Sequence, residues 1–205
     1  MTSLFSRTGS VVFRATKEKW GGLSNMAGGY PLLINGHLFR TSEALYQALR
    51  YADDKSEDGE LIQELIQREK SPMAAKMVSK KYYPLTRDDW DITRVKIMDW
   101  CLRAKLHAHW DKFSTLLIAT GDLPIVEESH KDRFWGAVAI PGSEDQLEGE
   151  NMLGSLLIRL REKINKGNQP DITQLPVSGM LIFGSPPVLV EPGPVEPEQK
   201  TLFNL

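Results

Sequence analysis

The longest helical periodicity in the chain lies over residues 89–110, where Ile92, Val95, Met98, Leu102 and Leu106 recur three or four positions apart as one apolar stripe. A helix of that length needs other elements to cover its stripe, so the spacing predicts a central core helix on which the rest of the chain packs. At 205 residues and 41% hydrophobic content the chain holds enough apolar surface for one such core, and a single domain with a tail is the economical arrangement. Cys101 lies beside the stripe with no adjacent His or redox partner, the setting of a small buried hydrophobe rather than a nucleophile.

Shorter signals surround that segment. Residues 30–39 set two apolar runs on either side of Asn35-Gly36, the pair that favours a type I′ turn, and read as an antiparallel hairpin. Thr41-Ser42 offers a helix cap, and Ala44, Leu45, Ala48, Leu49 and Ala52 recur at helical spacing, giving a helix over residues 42–52. After an acidic loop at residues 53–59, residues 60–68 are amphipathic through Leu61, Ile62, Leu65 and Ile66. Ser71-Pro72 places a cap before a proline at the first helical position, where its missing N–H costs nothing. Further helices are expected over residues 113–119 and 153–164. From Gly167 proline density rises and periodicity is lost, apart from the run Met180-Leu181-Ile182-Phe183. The expected fold is α+β: a mainly α-helical single domain over residues 11–166 with a small antiparallel β element, then a Pro-rich C-terminal tail over residues 167–205.

The charge balance of 25 basic against 27 acidic residues provides no global positive field, so any contact with DNA has to be local. A lone cysteine cannot form an intramolecular disulfide, and residues 1–14 lack the apolar run of a signal peptide. No stretch approaches the roughly 20 consecutive apolar residues of a membrane span. A reducing cytoplasm, with no membrane partner, is the expected location. The sequence carries no internal repeat, no Gly-rich phosphate loop and no Cys/His cluster with metal spacing, so neither metal nor cofactor is expected.

Several residues are candidates for chemistry. Glu43 sits in the first turn of its helix, where the positive helix end favours an ionised carboxylate; such a glutamate also stabilises a helix with no further role. Gln47 and Arg50, at i+4 and i+7, share its polar face. Glu127 follows the strand-like run Ile125-Val126, and Asp132, Trp135 and Gly136 come just after. This segment reads as a binding rim, with Trp135 stacking on a base or ribose and Gly136 permitting close backbone approach, or as a loop pinned to the core by its aromatics. Lys76 follows small residues that leave room around its amine. Lys105, on or beside the apolar stripe, either snorkels outward or pairs with a buried carboxylate.

The order of these blocks resembles the NADAR superfamily, which includes the YbiA-like proteins. The succession is Gly22-Leu23-Ser24-Asn25, Thr41-Ser42-Glu43 with Gln47, Ser71-Pro72 with Ala75-Lys76, and Arg94 through Met98 with Leu102 and Lys105. It continues through Val126-Glu127 with Asp132, Trp135-Gly136 and Asn151-Met152-Leu153-Gly154. The resemblance covers residues 20–166. It implies hydrolysis of an N-glycosidic bond at a phosphorylated ribose, with Glu43, Lys76 and Glu127 as catalytic residues and Ser24, Asn25, Gln47, Asp132, Trp135, Gly136 and Asn151 as substrate-binding residues. Two substrate classes go with the family, early riboflavin-pathway intermediates and ADP-ribose on guanine in DNA, the latter removed by antitoxins of DarT-type toxins. In three places, residues 20–26, 43–48 and 95–103, the sequence looks closer to the antitoxin group. The implied substrate is therefore ADP-ribosylated guanine in DNA, or in RNA or a nucleotide, with a DarT-type toxin as functional partner. A riboflavin N-glycosidase and a non-catalytic ADP-ribose or NAD binding module are the alternatives.

At the chain end, Gln199-Lys200-Thr201-Leu202-Phe203 resembles the Gln-x-x-Leu-Phe peptide with which bacterial replication proteins dock on the sliding clamp. Either this peptide binds a clamp and concentrates the protein at DNA, or Leu202, Phe203 and Leu205 fold back onto the domain.

Overall fold

A computed structural model describes residues 2–52 and 58–190. The clamp-like peptide and most of the acidic loop lie outside the described residues. Each helix starts where local chemistry provides for it. Helix α1, Ser42–Leu49, is capped by Thr41, whose hydroxyl accepts from the Ala44 N–H at 3.2 Å. Helix α2 spans Gly59–Gln67, and α3, Pro72–Lys81, is capped by Ser71 accepting from the Ala74 N–H at 3.0 Å, with the proline in its first turn. Helix α1 ends earlier than its apolar spacing predicts. The chain turns at Arg50 and leaves Tyr51 and Ala52 buried, with the Ala52 carbonyl accepting from Arg87 Nη1 and from the Leu181 N–H.

Helix α4, Trp90–Ala108, packs against α1, α5 (Trp110–Ile118) and α6 (Met152–Asn165). The predicted stripe is corrected here: Ile92 is 79% exposed and Val95 half-buried. Ile97, Met98, Trp100, Cys101, Leu102, Ala104 and Leu106 are all buried. The first turns of α4 emerge from the core, whereas its second half is enclosed on several sides, so no single face carries the burial. The periodic segment is also broken at His109, whose φ of −132° and ψ of 44° separate α4 from α5.

The β structure is short and non-local. Strands β3 (Leu32–Ile34) and β4 (His37–Phe39) form the expected hairpin, with Asn35 and Gly36 at φ of 50° and 79° as a type I′ turn requires. Strands β1 (Ser3–Ser6), β7 (Gln146–Gly149) and β6 (Ala137–Ala139) form an antiparallel sheet in the order β1-β7-β6. Strand β2 (Val11–Phe13) pairs in parallel with β5 (Ile125–Glu127), with Phe13 opposite Glu127. The fold is α+β and mainly helical. Among the described residues no helix is long and apolar enough to cross a membrane.

Residues 167–190, expected as the start of a tail, run across the helical body. Met180 and Ile182 are buried, and Trp100 Nε1 donates to the Ile172 carbonyl at 3.0 Å. The Gln63 amide donates to the Leu181 carbonyl and accepts from the Phe183 N–H, and Leu189 bridges to Ile34. These contacts are made one at a time, so they leave no periodic trace in the sequence.

Helix α6 begins directly on β5. Asn151, in the left-handed region at φ 49°, donates from Nδ2 to the Ile125 carbonyl at 2.8 Å and accepts the Glu127 N–H on Oδ1 at 3.1 Å. A methyl on Gly154 would lie 2.0 Å from the Ile125 carbonyl oxygen and 2.4 Å from Asn151 Nδ2. Alanine is worth about 1 kcal/mol more than glycine inside a helix, but this overlap involves backbone that cannot retreat. Gly154→Ala is therefore expected to destabilise the fold by about 2–3 kcal/mol in urea denaturation; unchanged or raised stability would show that α6 can draw back from β5.

Candidate active site

Helix α1 brings Glu43, Tyr46, Gln47 and Arg50 to one wall of a cleft of about 580 Å³, α3 brings Lys76, and α4 brings Arg94 and Met98. The opposite wall comes from the end of β5 and the loop after it, with Glu127, Asp132, Phe134 and Trp135. The three side chains expected to be catalytic, Glu43, Lys76 and Glu127, line this one cavity, as do Asn25, Gln47, Asp132 and Trp135.

Glu43 is 3% exposed. Its Oε2 accepts from Asn25 Nδ2 at 2.5 Å, its Oε1 from Gln47 Nε2 at 2.8 Å, and its own N–H donates to the Asn25 carbonyl at 2.9 Å. Burial pushes its pKa up, opposed by Lys76, the Gln47 hydrogen bond and Arg50. The helix end alone suggested an ordinary ionised carboxylate; loss of water outweighs that influence, and the two amide donors support the charged form in place of solvent.

The amine of Lys105 sets the position of Asn25. Lys105 is 0% exposed and does neither of the two things expected of it. It donates to the carbonyls of Gly22 at 2.6 Å and Ser24 at 3.0 Å, between the Tyr30 and Phe113 rings at 4.2 Å from each centroid. Its pKa falls well below that of a free lysine because the charge is buried, with Lys112 adding to the effect.

Glu127 titrates at about 7, raised first by burial and then by the negative charges of Glu43 and Asp132, with Lys76 opposing. Asp132 uses Oδ1 to hold the loop, accepting the N–H groups of Phe134 and Trp135 at 3.0 and 2.9 Å. Trp135 packs edge-on against Tyr46 at 5.6 Å and also lines the cleft.

Three other predicted binding residues stand behind the wall. Ser24 accepts the Met26 N–H on its hydroxyl and gives its carbonyl to Lys105. Gly136 lets β6 approach β5, since a Cβ there would lie 2.5 Å from the Glu127 carbonyl oxygen. Asn151 spends its side chain on the β5 backbone. None of the three lines the cavity, and each acts by shaping it.

Two arginines emerge as site residues. Arg50 stacks between Tyr83 and Trp90 at 4.3 and 4.2 Å, and Arg94 lies 3.9 Å from the Phe134 centroid. Their Nε atoms, with Gln47 Oε1, are buried without a hydrogen-bond partner. Such groups are costly to leave unmade, and here they lie directly behind the cleft wall. Arg50 was legible from its spacing to Glu43. Arg94 had a weaker signal, its place four residues from both Trp90 and Met98. Cys101 is fully buried, with its thiol pKa pushed well up, in keeping with a packing role. Among the described residues no group of three or more His, Cys, Asp or Glu side chains is arranged to hold a metal ion.

Residues 12–165 match the NADAR domain. The N-glycosidase YbiA of Escherichia coli (strain K12) is 35% identical over 155 residues, covering 75% of this chain and 88% of that protein. A riboflavin biosynthesis protein of Vibrio vulnificus (strain YJ016) is 30% identical over 173 residues, which cover 83% of this chain and 43% of that longer protein. The NMR structure of the E. coli protein YbiA superposes with a TM-score of 0.60 at 29% sequence identity, over 77% of this chain and 87% of that one.

The raised pKa of Glu127 makes the folded chain bind this proton more tightly than the unfolded chain does. That stabilisation is complete below about pH 4.5 and is lost as pH rises through about 7. A shift of this size corresponds to on the order of 3 kcal/mol. Glu127→Gln, which keeps the neutral shape, is expected to be about 1–3 kcal/mol more stable than the parent at pH 8 and equal to it near pH 4 in urea denaturation. Equal stability at both pH values would mean that the carboxyl is not held protonated.

Proposed function

Since the chain belongs to the NADAR family, we propose that it is an N-glycosidase, a hydrolase acting on N-glycosyl bonds, whose substrate is ADP-ribose joined to guanine in DNA. The observation that carries the chemistry is the pairing, in one cleft, of two carboxyls with different surroundings. Glu43 accepts from two amide donors, which favour its charged form against the burial that raises its pKa, and Glu127 keeps its proton to about pH 7. Breaking a C1–N bond leaves the electron pair on the base and positive charge on the sugar carbon. Glu127 delivers its proton to the departing nitrogen. Glu43 stabilises the cationic carbon and takes a proton from the water that adds to it, and solvent then restores both groups. Arg50 and Arg94 suit the diphosphate, since guanidinium groups pair with phosphate oxygens and both side chains line the cleft.

In this reading the protein is the antitoxin of a DarT-type ADP-ribosyltransferase. Its 199–203 peptide, whose sequence resembles clamp-binding motifs, directs it to replicating DNA. The second reading, cleavage of riboflavin-pathway N-glycosides, is favoured by the riboflavin biosynthesis protein of V. vulnificus. A competing route for either substrate uses Lys76, which lines the same cavity and whose amine exchanges with a ring-opened imine.

Incubating the protein with an oligonucleotide carrying ADP-ribosylated guanine, beside a riboflavin-pathway N-glycoside, separates the two readings; release of ADP-ribose from the first substrate is expected. On the cleaved substrate, Glu43→Gln is expected to lower kcat by about 10²–10⁴. The pH profile of kcat/KM should fall above about 7, and Glu127→Gln should abolish that limb along with most activity. Borohydride added during turnover is expected to leave the protein unmodified; covalent trapping on Lys76 would replace the direct water route with the imine route.

A further inference from the structure

A second hollow, of about 460 Å³, lies on another side of α4, between α4, α6 and residues 174–176 of the crossing segment. Helix α4 contributes Lys96, Asp99 and Arg103 to it, and α6 contributes Arg159 and Lys163. Four cations thus share a hollow with one carboxylate in a chain whose formal charge is −2. That carboxylate is already engaged: Asp99 Oδ2 accepts from Arg103 Nε at 2.9 Å, and Arg103 Nη1 also donates to the Asp171 carbonyl. Lys96, Arg159 and Lys163 are exposed and carry no ion pair among the described residues.

Helix α4 is the partition between the two cavities. Arg94 and Met98 line the catalytic cleft, while Val95, Lys96, Asp99 and Arg103 line the second hollow. A helix with its side chains is about 10–12 Å across. A strand of nucleic acid advances roughly 3.4 Å per nucleotide along a helix, and more when extended, so a few nucleotides span the partition. Three exposed cations spread over two helices suit a repeating anion that they neutralise from outside, rather than one phosphate held in a fixed cradle.

We propose that this hollow binds backbone phosphates of the nucleic-acid strand whose modified nucleotide enters the cleft, a few residues along from the reacting base. The inference rests on the reading of the cleft as acting on ADP-ribosylated nucleic acid, and it supplies the local positive surface that the net charge of the chain does not. Contacts of this kind position a strand without reading its sequence, and their strength falls with salt.

The test compares the parent with a variant carrying Lys96→Glu, Arg159→Glu and Lys163→Glu on two substrates: a single-stranded oligonucleotide with one ADP-ribosylated guanine, and free ADP-ribosylated guanosine. On the oligonucleotide kcat/KM is expected to fall at least about tenfold at low salt, and the slope of log kcat/KM against log salt to lose about 2, near 0.7 for each phosphate contact. On the nucleoside both quantities should be unchanged. Equal loss on both substrates, or none on either, overturns the proposal. If the parent cleaves neither substrate, the reading of the cleft has failed, and the hollow is judged separately by fluorescence anisotropy with an unmodified single-stranded oligonucleotide. At least tenfold weaker binding by the variant supports the proposal there, and unchanged binding overturns it. Should the triple variant not fold, Lys96→Gln alone, at an exposed position, is expected to lower oligonucleotide kcat/KM about threefold with the nucleoside unaffected; no loss overturns the proposal.

Discussion

Holding the Glu43 carboxylate out of water is the constraint on which the rest of the site depends. A buried carboxylate without donors carries a desolvation cost of several kcal/mol. Here Gln47 comes from the next turn of the same helix, and Asn25 comes from a loop with no regular structure beyond a short 3-10 turn at Gly21–Leu23. That loop is held by Lys105, itself buried between two aromatic rings with its amine on two carbonyls. One buried ionisable group thus fixes the donor for another, and α1, every residue of which is buried, has no freedom to adjust.

Glu127 reaches the cleft on an independent scaffold. Its strand is short, three residues in parallel pairing with β2, and alone would place a side chain loosely. Asn151 compensates by bonding to the backbone on both sides of Val126, and Gly154 lets α6 close onto the same strand. The two carboxyls consequently sit at fixed positions although no element joins them directly. That fixity is what makes the charge of Glu43 felt at Glu127.

What was legible in the sequence is what local chemistry determines. Thr41, Ser71-Pro72 and Asn35-Gly36 act within four residues of themselves, and they mark helix starts and a hairpin correctly. The stripe on α4 misled because periodicity reports a helix with one wet face, and this helix is enclosed along its second half. Strands β1, β6 and β7 have three or four residues each and are defined by distant partners. Among the catalytic and binding residues that the ordered family blocks implied, seven line one cleft. The blocks did not separate residues that face the cleft, such as Asn25 and Trp135, from those that shape it, such as Ser24, Gly136 and Asn151, because a glycine or asparagine needed for backbone geometry reads the same as one needed for contact. Lys105 was singled out by its place on an apolar face, but its carbonyl partners lie far away in sequence.

The segment after α6 adds a further set of ties between parts that already pack on one another. It caps the exit of α1 through Ala52, seats Met180 and Ile182 in the core, engages Gln63 from α2 and meets the hairpin at Ile34. A domain cut where helical periodicity ends, at residue 166, would bare an apolar furrow and strand several backbone groups. The packing of the helical body thus extends past its last helix, into a stretch whose pattern carries no helical or strand period.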